Sequence, residues 1–382
     1  MILLTETRNA GYMRDRKIQK RIGLIVLFGI GFYIINRIMS FLLVPNVSYF
    51  RQTAYDATSQ KDIYDVVCVG SSEEWYCFNS PMATQMLNRE CFNMGSAGSS
   101  VADGMYSSFR LFMKNQKPSL VMIMLNTVSL STDENDAAYA GIAQHTRDAL
   151  VNSEYFFRSL LRPGFVHRLF PWSAYHIDTL DELVENILVK TSKEYRNHDA
   201  GLLPSESCVY KGRGYCPQLP GDDNSNVISY AEVNLDWDNV QNAVTDDKAE
   251  YDERHEKALV KMIKQARESG AEVLITMAPM TKTYMVSSGT YADGSEQLRE
   301  LAEANGASFV DLNYAKPDLY DPKPDEYVDD YHVLMEGSDR YTRALCDYIT
   351  MCEKGEDTSS LFYSNLEELV ESYDWSVYKG LN

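Results

Sequence analysis

Ser72, Asp329 and His332 are the residues of this sequence whose types and spacing allow nucleophilic chemistry. Ser72 lies three residues beyond a short apolar run, Asp65-Val66-Val67-Cys68-Val69, and follows Gly70 and Ser71. A serine at such a turn can point its hydroxyl into a cleft while nearby backbone N–H groups stay free to hold an oxyanion. Taken alone, a Gly-Ser-Ser turn describes a helix-capping serine at least as well. The segment Asp329-Asp330-Tyr331-His332 shifts that balance. An aspartate three residues before a histidine can accept from one ring nitrogen while the other faces a hydroxyl, which is the nucleophile–base–orienter arrangement of serine catalysis. Asp330 is the rival orienter. Neighbours on an extended segment point opposite ways, and the spacing favours Asp329.

The elements that must position these residues alternate. Strands are predicted at Asp65–Val69, Glu90–Asn93, Leu120–Leu125, Glu272–Met277 and Ser308–Leu312, as short apolar runs bounded by Gly, Pro or polar residues. Helices are predicted over Phe78–Arg89, Val101–Asn115, Asp252–Glu268, Glu296–Asn305 and Gly337–Met351. Strands alternating with helices imply a parallel sheet covered on both faces, and right-handed crossovers then give a three-layer α/β/α fold. Ligands bind beyond the carboxyl ends of such strands. Four segments fall there: Gly70–Glu73, the Gly95–Ser100 loop, Asn126-Thr127-Val128 and the stretch around His332. Asp133 to about Glu250 breaks the pattern. Rich in aromatic, Asn and Asp residues, with a helical patch at Asp181–Lys190 and a loop-like Pro204–Asn226, it reads as an insertion on one face. It enters after the third strand, so it is expected to border the cleft. Trp172, Tyr175, Tyr210 and Tyr215 either stack on sugar rings there or pack the insertion's own small core.

Gly70-Ser71-Ser72 resembles the first sequence block of the SGNH (GDSL-like) hydrolases, with Ser71 where many members carry Asp. Asn93-Met94-Gly95-Ser96-Ala97-Gly98 resembles the second block, and Asp329-x-x-His332 the fifth, in family order. The resemblance covers about residues 62–131 and 250–353. It implies a flavodoxin-like sheet, a Ser72–His332–Asp329 triad, and an oxyanion hole built from Ser72, Gly98 and Asn126. One departure concerns the third block, where the family usually brings an Asn. In register that position is Val128, and Asn126 lies two residues earlier. Gly70-Ser71-Ser72-Glu73 with a single N-terminal anchor is most similar to DltD-like proteins of teichoic-acid D-alanylation and to anchored proteins that partner membrane-bound O-acyltransferases.

Residues Ile22–Val44 form an apolar segment long enough to cross a hydrocarbon core of roughly 30 Å. Arg14, Arg16, Lys17, Lys20 and Arg21 precede it, so the positive-inside rule keeps the N-terminus cytoplasmic and the body outside. The expected plan is a basic tail over 1–21, an anchor over 22–44, a linker over 45–61, the SGNH-like domain over 62–353 with its insertion at about 133–250, and a C-terminal tail or helix over 354–382. Asn36 and Arg37 interrupt the anchor. Arg37 either snorkels to headgroups or meets a membrane partner. A formal charge of −19, with the basic cluster confined to the N-terminus, argues against a nucleic-acid partner. No zinc-ligand spacing or Walker-type loop is present, so neither metal nor cofactor is expected. The seven cysteines are an odd number and no disulfide framework. Cys68 and Cys91 read as core residues, while Cys208 and Cys216 flank a loop and could pair.

The expected function is acyl-ester transfer or hydrolysis on a cell-envelope glycopolymer, outside the membrane. The rival is a scaffold subunit that kept the fold and lost the chemistry.

Overall fold

The computed structural model describes residues 2–45, 48–160, 165–203, 208–220, 248–249 and 251–379. The strands are β1 (Val66–Val69), β2 (Cys91–Asn93), β3 (Leu120–Leu125), β4 (Glu272–Met277) and β5 (Ser308–Val310). They form one parallel sheet in the order β2-β1-β3-β4-β5. Because side chains alternate across a strand, the continuous apolar runs of β1 and β3 fill two cores at once. Val67, Val69, Val121, Ile123 and Leu125 face one layer with Phe92, Phe109 and Phe112. Val66, Cys68, Leu120, Met122 and Met124 face the other with Phe78, Tyr341 and Leu345. Each fully buried side chain of this size stabilises the fold by roughly 1.5–3 kcal/mol, so neither layer is dispensable. Between β1 and β3 the chain order reverses, and the crevice beyond that point is where ligands bind in such sheets.

The helices start and stop on recognisable signals. Asp252 caps Glu253–Glu268 by accepting from the Arg254 N–H, and Asn79 caps α4 (Ser80–Leu87) by accepting from Met82. α3 (Ser72–Cys77) begins at the nucleophile candidate itself and was not expected, whereas the helix expected over Phe78–Arg89 is α4, after the break at Phe78 and Asn79. The helix before β5 starts at Tyr291, earlier than expected. The expected linker contains α2 (Tyr49–Ser59), whose Phe50, Ala54 and Ala57 join the first core. Beyond residue 353, Leu366–Ser372 is helical and buries Leu366, Leu369 and Val370 in that same core.

The N-terminal helix α1 runs Ile2–Leu43, and its Ile18–Leu43 portion is long and apolar enough to cross a membrane. The Asn36 side-chain oxygen accepts from Trp172 Nε1 at 2.9 Å, and Arg37 donates to Gln144 at 3.3 Å. Both contacts belong to the chain's own insertion.

Of the expected Pro204–Asn226 loop, residues 208–220 are described, and the remainder lies outside the described residues. Cys208 bridges to Gln218 across a hairpin whose tip lies on β2, where the Asn93 N–H donates to the Arg213 carbonyl at 2.9 Å. The hairpin therefore covers the exposed edge of the sheet, which would otherwise present unpaired backbone. The aromatic residues proposed for sugar stacking are used in packing. Tyr215 donates to or accepts from Ser338, Tyr210 binds Asp56, Trp172 meets Asn36, and Tyr175 donates to the Ala137 carbonyl. None of the four lines the main cleft, whose insertion-side wall is Asp133 and Asn135.

Candidate active site

Ser72 opens α3 directly after β1, and its hydroxyl projects into the crevice between β1 and β3. The turn is tight because Gly70 and Gly95 leave room for Glu74. A Cβ at either glycine would collide with that side chain. Glu74 is fully buried beneath the turn with the Cys68 thiol beside it, and burial pushes its carboxyl well above the usual range. Burial there disfavours its charged form behind Ser72.

A second clamp comes from Asn93 at the end of β2. Its amide nitrogen donates to the Phe78 carbonyl at 2.9 Å and the Glu74 carbonyl at 3.1 Å. Its side-chain oxygen accepts from the Gly95 N–H at 3.0 Å. One buried side chain thus ties the end of α3 to the following loop. That loop is fixed further by Met94 N–H donating to Cys68 and Ser96 N–H to Gly70. Gly98 lies on the cleft wall with φ of +69°, a left-handed conformation that an L residue adopts only under strain. Its carbonyl accepts from Asn135 N–H at 2.9 Å, which sets the orientation of the Gly98 peptide group.

His332 arrives from the other end of the sequence. Its Nε2 lies 2.8 Å from Ser72 Oγ, and its Nδ1 lies 2.7 Å from Asp329 Oδ2. The other Asp329 oxygen accepts from the backbone N–H groups of Tyr331 (3.0 Å) and His332 (2.8 Å), so the carboxylate is held before the imidazole reaches it. Asp330 points away and accepts from the Thr281 hydroxyl at 2.9 Å. Tyr76 and Tyr331 pack their rings against the imidazole. Burial works to lower the His332 pKa, but the hydrogen bond and charge of Asp329, with Glu73 nearby, outweigh it and raise the net value. Burial also opposes ionisation of Asp329, and its bonds to His332 and the backbone reverse that and hold its pKa below the ordinary value.

Asn126 lines the same cleft, yet its amide is engaged. It donates to one oxygen of Glu73, whose other oxygen accepts from Ser71 and lies 3.4 Å from Ser72 Oγ. The Asn126 oxygen meanwhile accepts from Val128 N–H and Ser129 Oγ. Val128, at the departing family position, is exposed and leaves no polar group there. The cleft has a volume of about 1550 Å³ and is open to solvent. No group of metal-ligating side chains exists among the described residues.

Glu73 and Asn93 are site residues that the sequence blocks contain but to which sequence reasoning gave no role. A buried Asn at a strand end was a usable signal for the second. The Glu73–Asn126 pair spans distant segments and left no local pattern.

No protein-family model matches the sequence, and no curated protein does. Among solved structures, the chain is similar to a Bacteroides fragilis protein described as a candidate acylhydrolase. Identity is 15%, coverage is 80% of this chain and 94% of that one, and the TM-score is 0.35. A likeness this slight carries no argument about the fold or the chemistry, which rest on the sheet and the cleft themselves.

Proposed function

We propose that the protein is a membrane-anchored serine hydrolase or acyltransferase of the SGNH type, with Ser72 as nucleophile, His332 as general base and Asp329 as its orienter. The observation that carries this reading is the unbroken chain from Ser72 Oγ through His332 to Asp329, at 2.8 and 2.7 Å. Within that reach His332 takes the Ser72 proton as Oγ attacks an acyl carbonyl. The proton then passes to the departing alkoxide, leaving the acyl group on Ser72. Water or a sugar hydroxyl then attacks the acyl carbon as it gives its proton to His332, which passes that proton to Ser72 Oγ as the acyl–Oγ bond breaks. The N–H groups of Ser72 and Gly98 would hold the oxyanion. Asn126 joins them once its amide leaves Glu73. The apolar helix and its basic flank support a location of the domain outside the membrane, where acyl esters of a teichoic acid or surface polysaccharide are accessible substrates. Such a protein would work beside a membrane-bound O-acyltransferase, as the resemblance to DltD-like proteins implies.

A second reading is a scaffold subunit with little or no turnover. Glu73 favours it, because a carboxylate beside Ser72 and Asn126 repels a developing oxyanion, and losing one oxyanion donor costs roughly 100- to 1000-fold in rate. A fluorophosphonate probe applied to the full-length protein in detergent separates the two. The enzyme reading expects labelling that Ser72→Ala abolishes. Absence of labelling in the folded wild type favours the scaffold.

A further inference from the structure

The helix Leu180–Thr191 is built inside out. Its hidden side is polar: Asn186 and Lys190 are each only 6% exposed. Asn186 donates to the carbonyls of Leu42 (2.8 Å) and Val44 (3.1 Å), and the Lys190 ammonium donates to Phe41 (2.6 Å) and Val44. These are carbonyls of the last turn of α1 and the residue after it, left without intrahelical partners, and a cation is favoured at that end of a helix. Its outward side is apolar: Leu180, Val184 and Leu188 are 73%, 46% and 63% exposed. At spacings of four they form one stripe, from which Glu182 projects away while Asp181 and Glu185 border it.

We infer that this helix lies in the plane of the bilayer, with Leu180, Val184 and Leu188 sunk into the boundary between headgroups and acyl chains beside the outer end of α1. In water this stripe would be an unexplained apolar surface on a helix that hides Asn186 and Lys190 instead. Against lipid, each side of the helix has its partner: carbonyls for Asn186 and Lys190, acyl chains for the leucines and valine, water for the carboxylates. The occupant is set by continuity with the span. The carbonyls that Asn186 and Lys190 hold mark the level at which α1 leaves its apolar stretch, and Ile34, Ile35 and Ile38 of α1 are exposed just below. Trp172 and Gln144 grip α1 at Asn36 and Arg37, a few residues deeper. The anchor is thereby joined rigidly to the catalytic domain and sets the orientation of the cleft relative to the membrane.

This inference rests on α1 spanning a bilayer, so the test includes the span as a reference. The wild-type full-length protein is reconstituted into phosphatidylcholine–phosphatidylglycerol vesicles containing a phosphatidylcholine with a diazirine in its acyl chain. After irradiation, adducts are mapped by peptide mass spectrometry. The expected result is adducts at Leu180, Val184 and Leu188 as well as around Phe28 of the span, with Glu182 unmodified. Adducts at Phe28 with none on Leu180–Thr191, or equal modification of both faces of that helix, would overturn the in-plane placement while leaving the anchor intact. Absence of adducts at both would overturn the anchor itself.

Discussion

Replacing Asp329 by Asn tests the orienting role with little change in shape. One oxygen of Asp329 accepts from two backbone N–H groups, at 3.0 and 2.8 Å, and the other accepts from His332 Nδ1 at 2.7 Å. In Asp329→Asn the amide oxygen must stay on the two backbone donors. Turning the NH2 group toward them would break both bonds, at about 0.5–1.5 kcal/mol each. The NH2 group then faces His332 Nδ1 and donates to it. That nitrogen becomes the acceptor, so Nε2 carries the hydrogen and can no longer take the Ser72 proton. The wrong tautomer of an intact histidine lowers turnover by roughly 10³- to 10⁴-fold, or about 4–5.5 kcal/mol of barrier. The assay is hydrolysis of a short p-nitrophenyl ester by the full-length protein in detergent, read as kcat and KM. The loss should fall on kcat, because the carboxylate does not touch the ester before reaction. Asp330→Asn is the matched control: Asp330 bonds Thr281 and not the imidazole, so activity should stay within about threefold of wild type. The reasoning is refuted if Asp329→Asn keeps more than about a tenth of wild-type kcat while Ser72→Ala is silent, or if Asp330→Asn is the more damaging change.

Single features carry the further outcomes. His332 acts as base only when neutral and its pKa is raised, so activity should fall as pH drops through a midpoint above the ordinary 6.5. Glu73→Gln removes one of the charges that raise that pKa and should move the midpoint downward, and an unmoved midpoint would remove Glu73 from the site's electrostatics. Gly214→Ala should destabilise the fold by ~3 kcal/mol or more, seen as a lower Tm, because φ is +81° there and a Cβ would land on the Asn93 carbonyl. Iodoacetamide on the folded protein should modify exposed Cys352 and spare the other six cysteines, which are buried. A mild oxidant should couple Cys208 to Cys216, whose sulfurs lie 3.0 Å apart, and mass spectrometry of the unreduced peptides checks both statements.

The sheet was legible because β1 and β3 are buried on both faces. A strand in that position must be apolar throughout, and Val66–Val69 and Leu120–Leu125 are. The meeting of Ser72 with His332 was legible by a different route. The topology puts both after strands at one edge, and Asp329 stands three positions before the ring it supports. What could not be read is pairing between distant polar side chains. Nothing local to Asn126 announces that Glu73 holds its amide, and nothing local to Arg37 announces Gln144. Polar residues inside an apolar span did signal a partner, but a lipid headgroup, another protein and the chain's own insertion all satisfy the same chemistry. The aromatic residues of the insertion were ambiguous for a related reason: a Tyr suited to stacking on a sugar is equally suited to packing, and Tyr210 and Tyr215 pack.

The covalent step is the most direct test of the proposed chemistry. Full-length protein in detergent is mixed with p-nitrophenyl acetate at limiting temperature, quenched in acid and digested. The account predicts one acetyl group on the peptide carrying Ser72, formed in a burst with p-nitrophenol, absent from Ser72→Ala and strongly slowed in His332→Ala. Acetylation of any other residue with Ser72 unmodified, or ester cleavage that persists in Ser72→Ala, would contradict it.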